Sequence, residues 1–190
     1  MRLFVALELA EDVKDTLAFA AADLTRQAQS GRAVMRDNFH LTLVFIGETN
    51  RIHEARTIFE ETGRQRFVQS LKLTLRGIGT FKGKKTSGQK GQTPTTVYTW
   101  WIAVEPTSAL LSLTHALTEA YRVHGFTLQS RNFKPHITLV RGVCAPKPIE
   151  FDPPCLTTIS ARLSLMKSDL TGRSPVYTTL ASRQISEPTF

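Results

Sequence analysis

Hydrophobic and polar positions along this chain fall into two kinds of run, and the runs follow the same order twice. In RLFVALEL, residues 2–9, an apolar stretch broken only by Glu8 predicts a strand. The next segment, AEDVKDTLAFAAADLTRQAQSG, places Val13, Leu17, Ala20, Ala21 and Leu24 on one face of a helix that closes before Gly31. HLTLVFIG then reads as a second strand. Further on, VYTWWIAVEP predicts a strand and SALLSLTHALTEAYRVHG a helix, with Leu110, Leu113, Leu117, Ala120 and Tyr121 on one stripe and Gly125 at its end. HITLVRG is the strand that follows. Glu8 and Glu105 stand at nearly the same distance ahead of His40 and His136, so the repeat extends well beyond the five letters HLTLV and HITLV.

The segments after each histidine strand also correspond. LKLTLRGIGTF leads toward VYTWW, as ISARLSLMKSDL leads toward VYTTL. The pattern is that of a duplicated, strand-rich α+β unit. Because strict strand–helix alternation is missing, antiparallel sheets are expected rather than a doubly wound parallel one, each with helix on one face. Between the copies, FKGKKTSGQKGQTPTT has no acidic residue and reads as an exposed hairpin loop carrying Lys82, Lys84, Lys85 and Lys90. No linker separates the halves. Residues 1–190 are therefore expected to form one bilobal body, with copies at about 1–96 and 97–190 and room for strands to be exchanged between lobes.

Alternation along a strand puts His40, Thr42 and Val44 on one face and Leu41, Leu43 and Phe45 on the other. The same rule groups His136 with Thr138, opposite Ile137 and Leu139. If a pseudo-twofold relates the copies, two imidazoles and two hydroxyls line one cleft. Two facing histidines suit a reaction that takes a proton from an attacking group and gives one to a leaving group. A phosphodiester fits, its non-bridging oxygens held by the threonines. The plainer alternative is that duplication preserved a packing feature in both halves.

Charge narrows the partner. Lys and Arg number 24 against 16 Asp and Glu, giving a net charge of +8 and a pI of about 9.9, which favours a polyanion such as RNA. At 41% hydrophobic and 21% charged residues, composition is that of an ordinary globular protein. Cys144 and Cys155 form no C-x-x-C pair, so neither a disulfide framework nor a zinc site is indicated. The apolar stretch at the N-terminus is too short for a secretory signal, and no run reaches membrane-spanning length, so a cytoplasmic protein is expected.

With these residues in place, the chain resembles the 2H phosphoesterases, named for two His-x-Thr motifs in two pseudo-symmetric lobes. It is most similar to their RNA 2′,3′-cyclic phosphodiesterases, also called 2′-5′ RNA ligases. RLFVALEL, VMRDNFHLTLVFIGE, FKPHITLVRG and LSLMKSDLTGRSPVYTTL carry the resemblance, over nearly the whole chain. It implies an α+β, bilobal 2H phosphoesterase fold with two pseudo-symmetric antiparallel sheets, helices packed outside and a central cleft. It also implies metal-free opening of RNA 2′,3′-cyclic phosphate ends to 2′-phosphomonoesters, with no cofactor, by a monomer, and reverse 2′-5′ ligation as a side activity. His40 and His136 become the catalytic pair, His40 as acid toward O3′ and His136 as base toward water, with Thr42 and Thr138 binding the phosphate. The RNA could be tRNA-derived. Rivals are a 2H enzyme acting on a small cyclic nucleotide or a 2′-5′ oligoadenylate, a non-catalytic RNA-binding module, and a metal-dependent hydrolase.

Other residues flank the motifs. Arg141 matches an arginine of that family and would grip the phosphate, although strict alternation puts it on the aliphatic face unless the strand ends or twists before Gly142. Phe39 and Phe133 are candidates for stacking on a base, against core packing as the commoner fate of an aromatic. Arg32, Arg36 and Lys134 are candidates for contacts with the RNA backbone. His53, His115 and His124 lie outside any motif.

Overall fold

The strands at Arg2–Glu8, His40–Glu48, His136–Cys144 and Arg162–Asp169 each bury a run of apolar side chains, and the chain builds from them two sheets that share a core. The computed structural model describes residues 1–65, 71–85, 95–128, 132–144, 151–159, 162–170 and 174–184. The elements run β1 (Arg2–Glu8), α1 (Glu11–Gln27), β2 (Ser30–Ala33), a 3₁₀ turn at Arg36–Asn38, β3 (His40–Glu48), α2 (Ile52–Gln65), β4 (Lys72–Lys85) and β5 (Thr95–Val104). They continue with α3 (Ser108–Val123), β6 (His136–Cys144), β7 (Leu156–Ile159), β8 (Arg162–Asp169) and β9 (Val176–Gln184). Among the described residues one sheet has the order β3-β1-β8-β9 and the other β2-β6-β5-β4-β7, with every pairing antiparallel. The fold is α+β, with the histidine strands β3 and β6 in contact between the sheets.

The strand order corrects one part of the repeat as read from sequence. VYTWW lies in β5, inside the five-stranded sheet, whereas VYTTL lies in β9, at the edge of the four-stranded one. By position in the sheet, β5 corresponds to β1 and β4 to β8. Nor are Glu8 and Glu105 equivalent: Glu8 is opposite His40, but Ala103 is opposite His136. Of the segment read as a loop, residues 81–85 and 95–96 are in fact ladder, and 86–94 lie outside the described residues. β4 and β5 remain paired out to Lys85 and Thr95, which places Lys82, Lys84 and Lys85 on a ribbon; Lys90 lies outside the described residues.

The core is continuous across both sheets and the helices. Leu3, Val5 and Leu7 of β1, Leu17 and Leu24 of α1, Leu117 and Tyr121 of α3, and Ile137 and Leu139 of β6 are all within a single buried cluster. The predicted stripes of α1 and α3 are the buried faces, apart from the half-buried Ala120. α1 lies against β2 and β6, and α3 against β3 and α2. At the start of α3 the Thr107 hydroxyl accepts from the Leu110 N–H at 3.2 Å, occupying a donor the helix cannot satisfy itself. The Tyr121 hydroxyl donates to the Ala55 carbonyl at 3.0 Å, pinning α3 to α2.

Candidate active site

The two histidines are held alike. The His40 Nδ1 lies 2.7 Å from the Asn38 carbonyl, and the His136 Nδ1 lies 2.7 Å from the Lys134 carbonyl. A carbonyl oxygen only accepts, so each Nδ1 carries the hydrogen and donates it. Each Nε2 is thereby left as the site that takes or gives a proton. The Thr42 hydroxyl is 3.0 Å from the His40 Nε2. His40, Thr42, His136, Thr138 and Arg141 line one cleft of about 180 Å³, together with Asn38, Thr99 and Phe81.

Arg141 reaches this cleft through a bulge. One step on β5, from Trp100 to Trp101, matches two steps on β6, from Val140 to Thr138, so Leu139 is the extra residue. Leu139 and Val140 are consequently both buried, and alternation resumes out of phase with Arg141 exposed on the histidine face. A second slip follows, and Gly142, at φ 67°, adopts the left-handed backbone that bends the strand away. The strand does not end there; it runs on to Cys144.

The first copy carries the same device. One step on β1, from Val5 to Ala6, matches two on β3, from Val44 to Thr42, making Leu43 the extra residue. This corrects the simple alternation. Val44 is buried at 4% exposure, while Phe45, at 38%, turns to the cleft side. Phe45 and Arg141 thus occupy matching places after the bulge, one apolar and one cationic.

Each imidazole is clamped by two aromatic rings. His40 sits 5.0 Å from Phe4 and 5.1 Å from Tyr177, ring centroid to centroid. His136 sits 5.0 Å from Phe81 and 5.7 Å from Trp101. The Trp101 ring lies across Gly79, where a Cβ would come within 2.1 Å of its Cζ2 and Cη2 atoms. Only hydrogen at that position lets the indole lie flat beneath the catalytic face.

Burial dominates the electrostatics. Desolvation pushes the His40 imidazole down to about 4, against a backbone hydrogen bond that raises it, and the charges of Arg141 and His136 lower it further. His136 is lowered for the same leading reason, with Arg141 and Lys134 adding to the effect. Desolvated and beside Arg141, both rings favour the neutral form at pH 7.

The remaining sequence candidates divide. Lys134 stays beside the site, its Nζ 4.6 Å from the Trp101 ring centroid, a cation–π contact. Arg32 lines a cavity next to the cleft. Three candidates are corrected. Phe39 is 2% exposed within the core and offers no face to a base. Phe133 is half-buried and packs against the same core. Arg36 pairs with Asp15 at 2.5 Å, Glu11 at 2.6 Å and Asp37 at 3.3 Å, which neutralises its charge away from the cleft. Sequence reasoning missed Phe81, Tyr177, Phe4, Trp101, Asn38 and Thr99.

Two bulged histidine strands facing across one cleft, with a hydroxyl beside each ring and one arginine between them, define the phosphodiester-handling α+β class with paired His-x-Thr motifs. The family model described as the 2′-5′ RNA ligase superfamily matches residues 13–165, and the chain belongs to that superfamily. An RNA 2′,3′-cyclic phosphodiesterase of Thermotoga maritima is 30% identical over 185 residues, 95% of this chain and 93% of the relative. One from Thermus thermophilus is 31% identical over 194 residues, covering 95% and 88%. The crystal structure of TT0787 of Thermus thermophilus superposes with a TM-score of 0.72 at 29% identity, over 100% of both chains.

Among the described residues no group of three or more His, Cys, Asp and Glu is gathered to hold a metal ion. Among them, too, no helix is long and apolar enough to cross a membrane.

Proposed function

We propose that this chain opens RNA 2′,3′-cyclic phosphate ends to 2′-phosphomonoesters, with His40 and His136 as acid and base and no metal ion. The observation that carries this is the pair of Nδ1-protonated imidazoles directed into one cleft with Thr42, Thr138 and Arg141. The Thr hydroxyls and the Arg141 guanidinium hold the non-bridging oxygens and stabilise charge on the five-coordinate phosphorus. His136 Nε2 removes a proton from water as the water oxygen bonds to phosphorus. The P–O3′ bond breaks in line, and His40 Nε2–H delivers its proton to O3′. The product carries a 2′-phosphate and a 3′-hydroxyl, with the proton now on His136 and His40 neutral.

The family resemblance puts His40 on the O3′ side, and the space beside it supports that reading. A second cavity adjoins His40, whereas Phe81 and the buried Trp101 stand against the His136 ring. The ribose, which bears both O2′ and O3′, needs the open side. The entering anion offsets the Arg141 charge and so raises the share of His40 in its acid form. In 2′-5′ ligation the two roles exchange. Both histidines come from one chain, so each chain holds a whole acid–base pair.

The experiment is to incubate an RNA oligonucleotide ending in a 2′,3′-cyclic phosphate with the protein and EDTA, then identify the monoester by ³¹P NMR. A 2′-phosphate is expected. A 3′-phosphate would invert the side of cleavage, and unchanged RNA would refute the reading.

A further inference from the structure

A cavity of about 320 Å³ opens from the catalytic cleft, sharing His40, Thr42 and Arg141 with it. Its size is within the range of ligand sites, about 300–1,000 Å³. Three guanidinium groups reach it from three strands: Arg2 on β1, Arg32 on β2 and Arg141 on β6. No carboxylate is among its described lining residues, and the Arg2 guanidinium, which pairs with Glu48 through Nε at 3.3 Å, keeps its two terminal nitrogens for a further acceptor. Arg32 and Arg141 are directly opposite each other in the β2–β6 ladder. An anion seated between the two strands can therefore be met by both guanidinium groups at once. Beside the shared His40 and Thr42 the rest of the wall is Ser168 and apolar or aromatic side chains, with Phe45 and Tyr177 in it and the Arg2 guanidinium 5.9 Å over the Phe45 ring.

A wall that joins several cations to flat apolar faces, beside a site that takes one phosphate, suits a second phosphate attached to a nucleoside. Resting on the reading of the reaction above, we propose that this cavity holds the 5′-phosphodiester of the terminal nucleotide, with Arg2 and Arg32 as its specificity-determining contacts. The chain then distinguishes the end of an RNA from an isolated cyclic mononucleoside, which offers nothing to these arginines. Arg141, shared by the two spaces, holds the scissile phosphate, and Arg2 and Arg32 grip the 5′-phosphate.

The test compares kcat/KM for adenosine 2′,3′-cyclic phosphate with that for the same compound carrying a 5′-phosphate. In the wild type the 5′-phosphate is expected to raise kcat/KM by about 10- to 100-fold, the scale of a charge-assisted hydrogen bond. In Arg2→Gln and Arg32→Gln that ratio is expected to fall toward one. Each ratio is taken within one preparation, so partial unfolding of a variant cancels. A wild-type ratio near one, or an unchanged ratio in both variants, would overturn the assignment while leaving the reaction standing. A wild type that opens neither compound would overturn the reading of the reaction, and this assignment with it.

Discussion

Arg141→Gln probes the bulge and the chemistry together. The substitution keeps a polar side chain on the cleft face but removes the charge that both histidines feel. A charge-assisted hydrogen bond to a phosphate is worth about 1.5–3 kcal/mol, and each 1.4 kcal/mol is about tenfold. The variant should therefore lose about 10- to 150-fold in kcat/KM at its own pH optimum. The sign of the pH effect is fixed independently. Arg141 lowers the pKa of His40 and of His136, so its loss raises both, and both limbs of the kcat/KM profile should move to higher pH. Proton NMR titration of the two imidazoles gives the same shift without substrate. Arg141→Lys should restore the pH profile but only part of the rate, because an ammonium lacks the guanidinium fork. A rate within about threefold of wild type, or histidine pKa values that stay still or fall, would refute the placement of Arg141 against the reacting phosphate.

Two further outcomes follow from the same geometry. His40→Ala and His136→Ala should each lower the single-turnover rate by about 10²–10⁴, and the double variant should lose less than the product of the two, because a paired acid and base act as a unit; near-normal turnover in either single variant would contradict the assignment. Gly79→Ala forces the Trp101 ring to move, at a cost of about 1–3 kcal/mol of stability as overpacking, and should slow turnover through the displaced His136; urea unfolding read by tryptophan fluorescence, alongside kcat/KM, would contradict this if both matched wild type.

The placement of the four motif residues was legible because it needs only a period of two and a duplication. His40 and Thr42, like His136 and Thr138, are upstream of the bulges, so alternation holds for them. Beyond Leu43 and Leu139 it does not. A bulge is a property of the pairing between two strands, and nothing in HLTLVF alone distinguishes a regular ladder from one with an extra residue. That is why Val44 and Phe45 exchange faces and why Arg141 arrives without the strand having to end. The aromatic clamps were hidden for a related reason. Phe81 stood at the edge of a stretch that read as loop, and Tyr177 stood in a segment matched by its letters to β5 rather than by its place to the opposite sheet. Phe39 adjoins His40 and Phe133 stands three residues before His136, odd separations that on an extended chain point the other way, so Phe39 is buried in the core and the half-buried Phe133 packs against it.

The order of strands also sets an order of assembly. β1 is central in its sheet, yet its partner β8 begins at Arg162, 154 residues after β1 ends at Glu8. At a synthesis rate of about 5–20 residues per second, β1 waits roughly 8–30 s on the ribosome for that partner. The five-stranded sheet draws only on residues 30–159 and has all its strands before β8 emerges. The half of the protein made first is therefore completed last, and until then β1 presents an open, strongly apolar edge. Every residue lining the catalytic cleft precedes β8 in the chain, but the Tyr177 ring that clamps His40 is on β9, so the acid side of the site is closed only at the final pairing step.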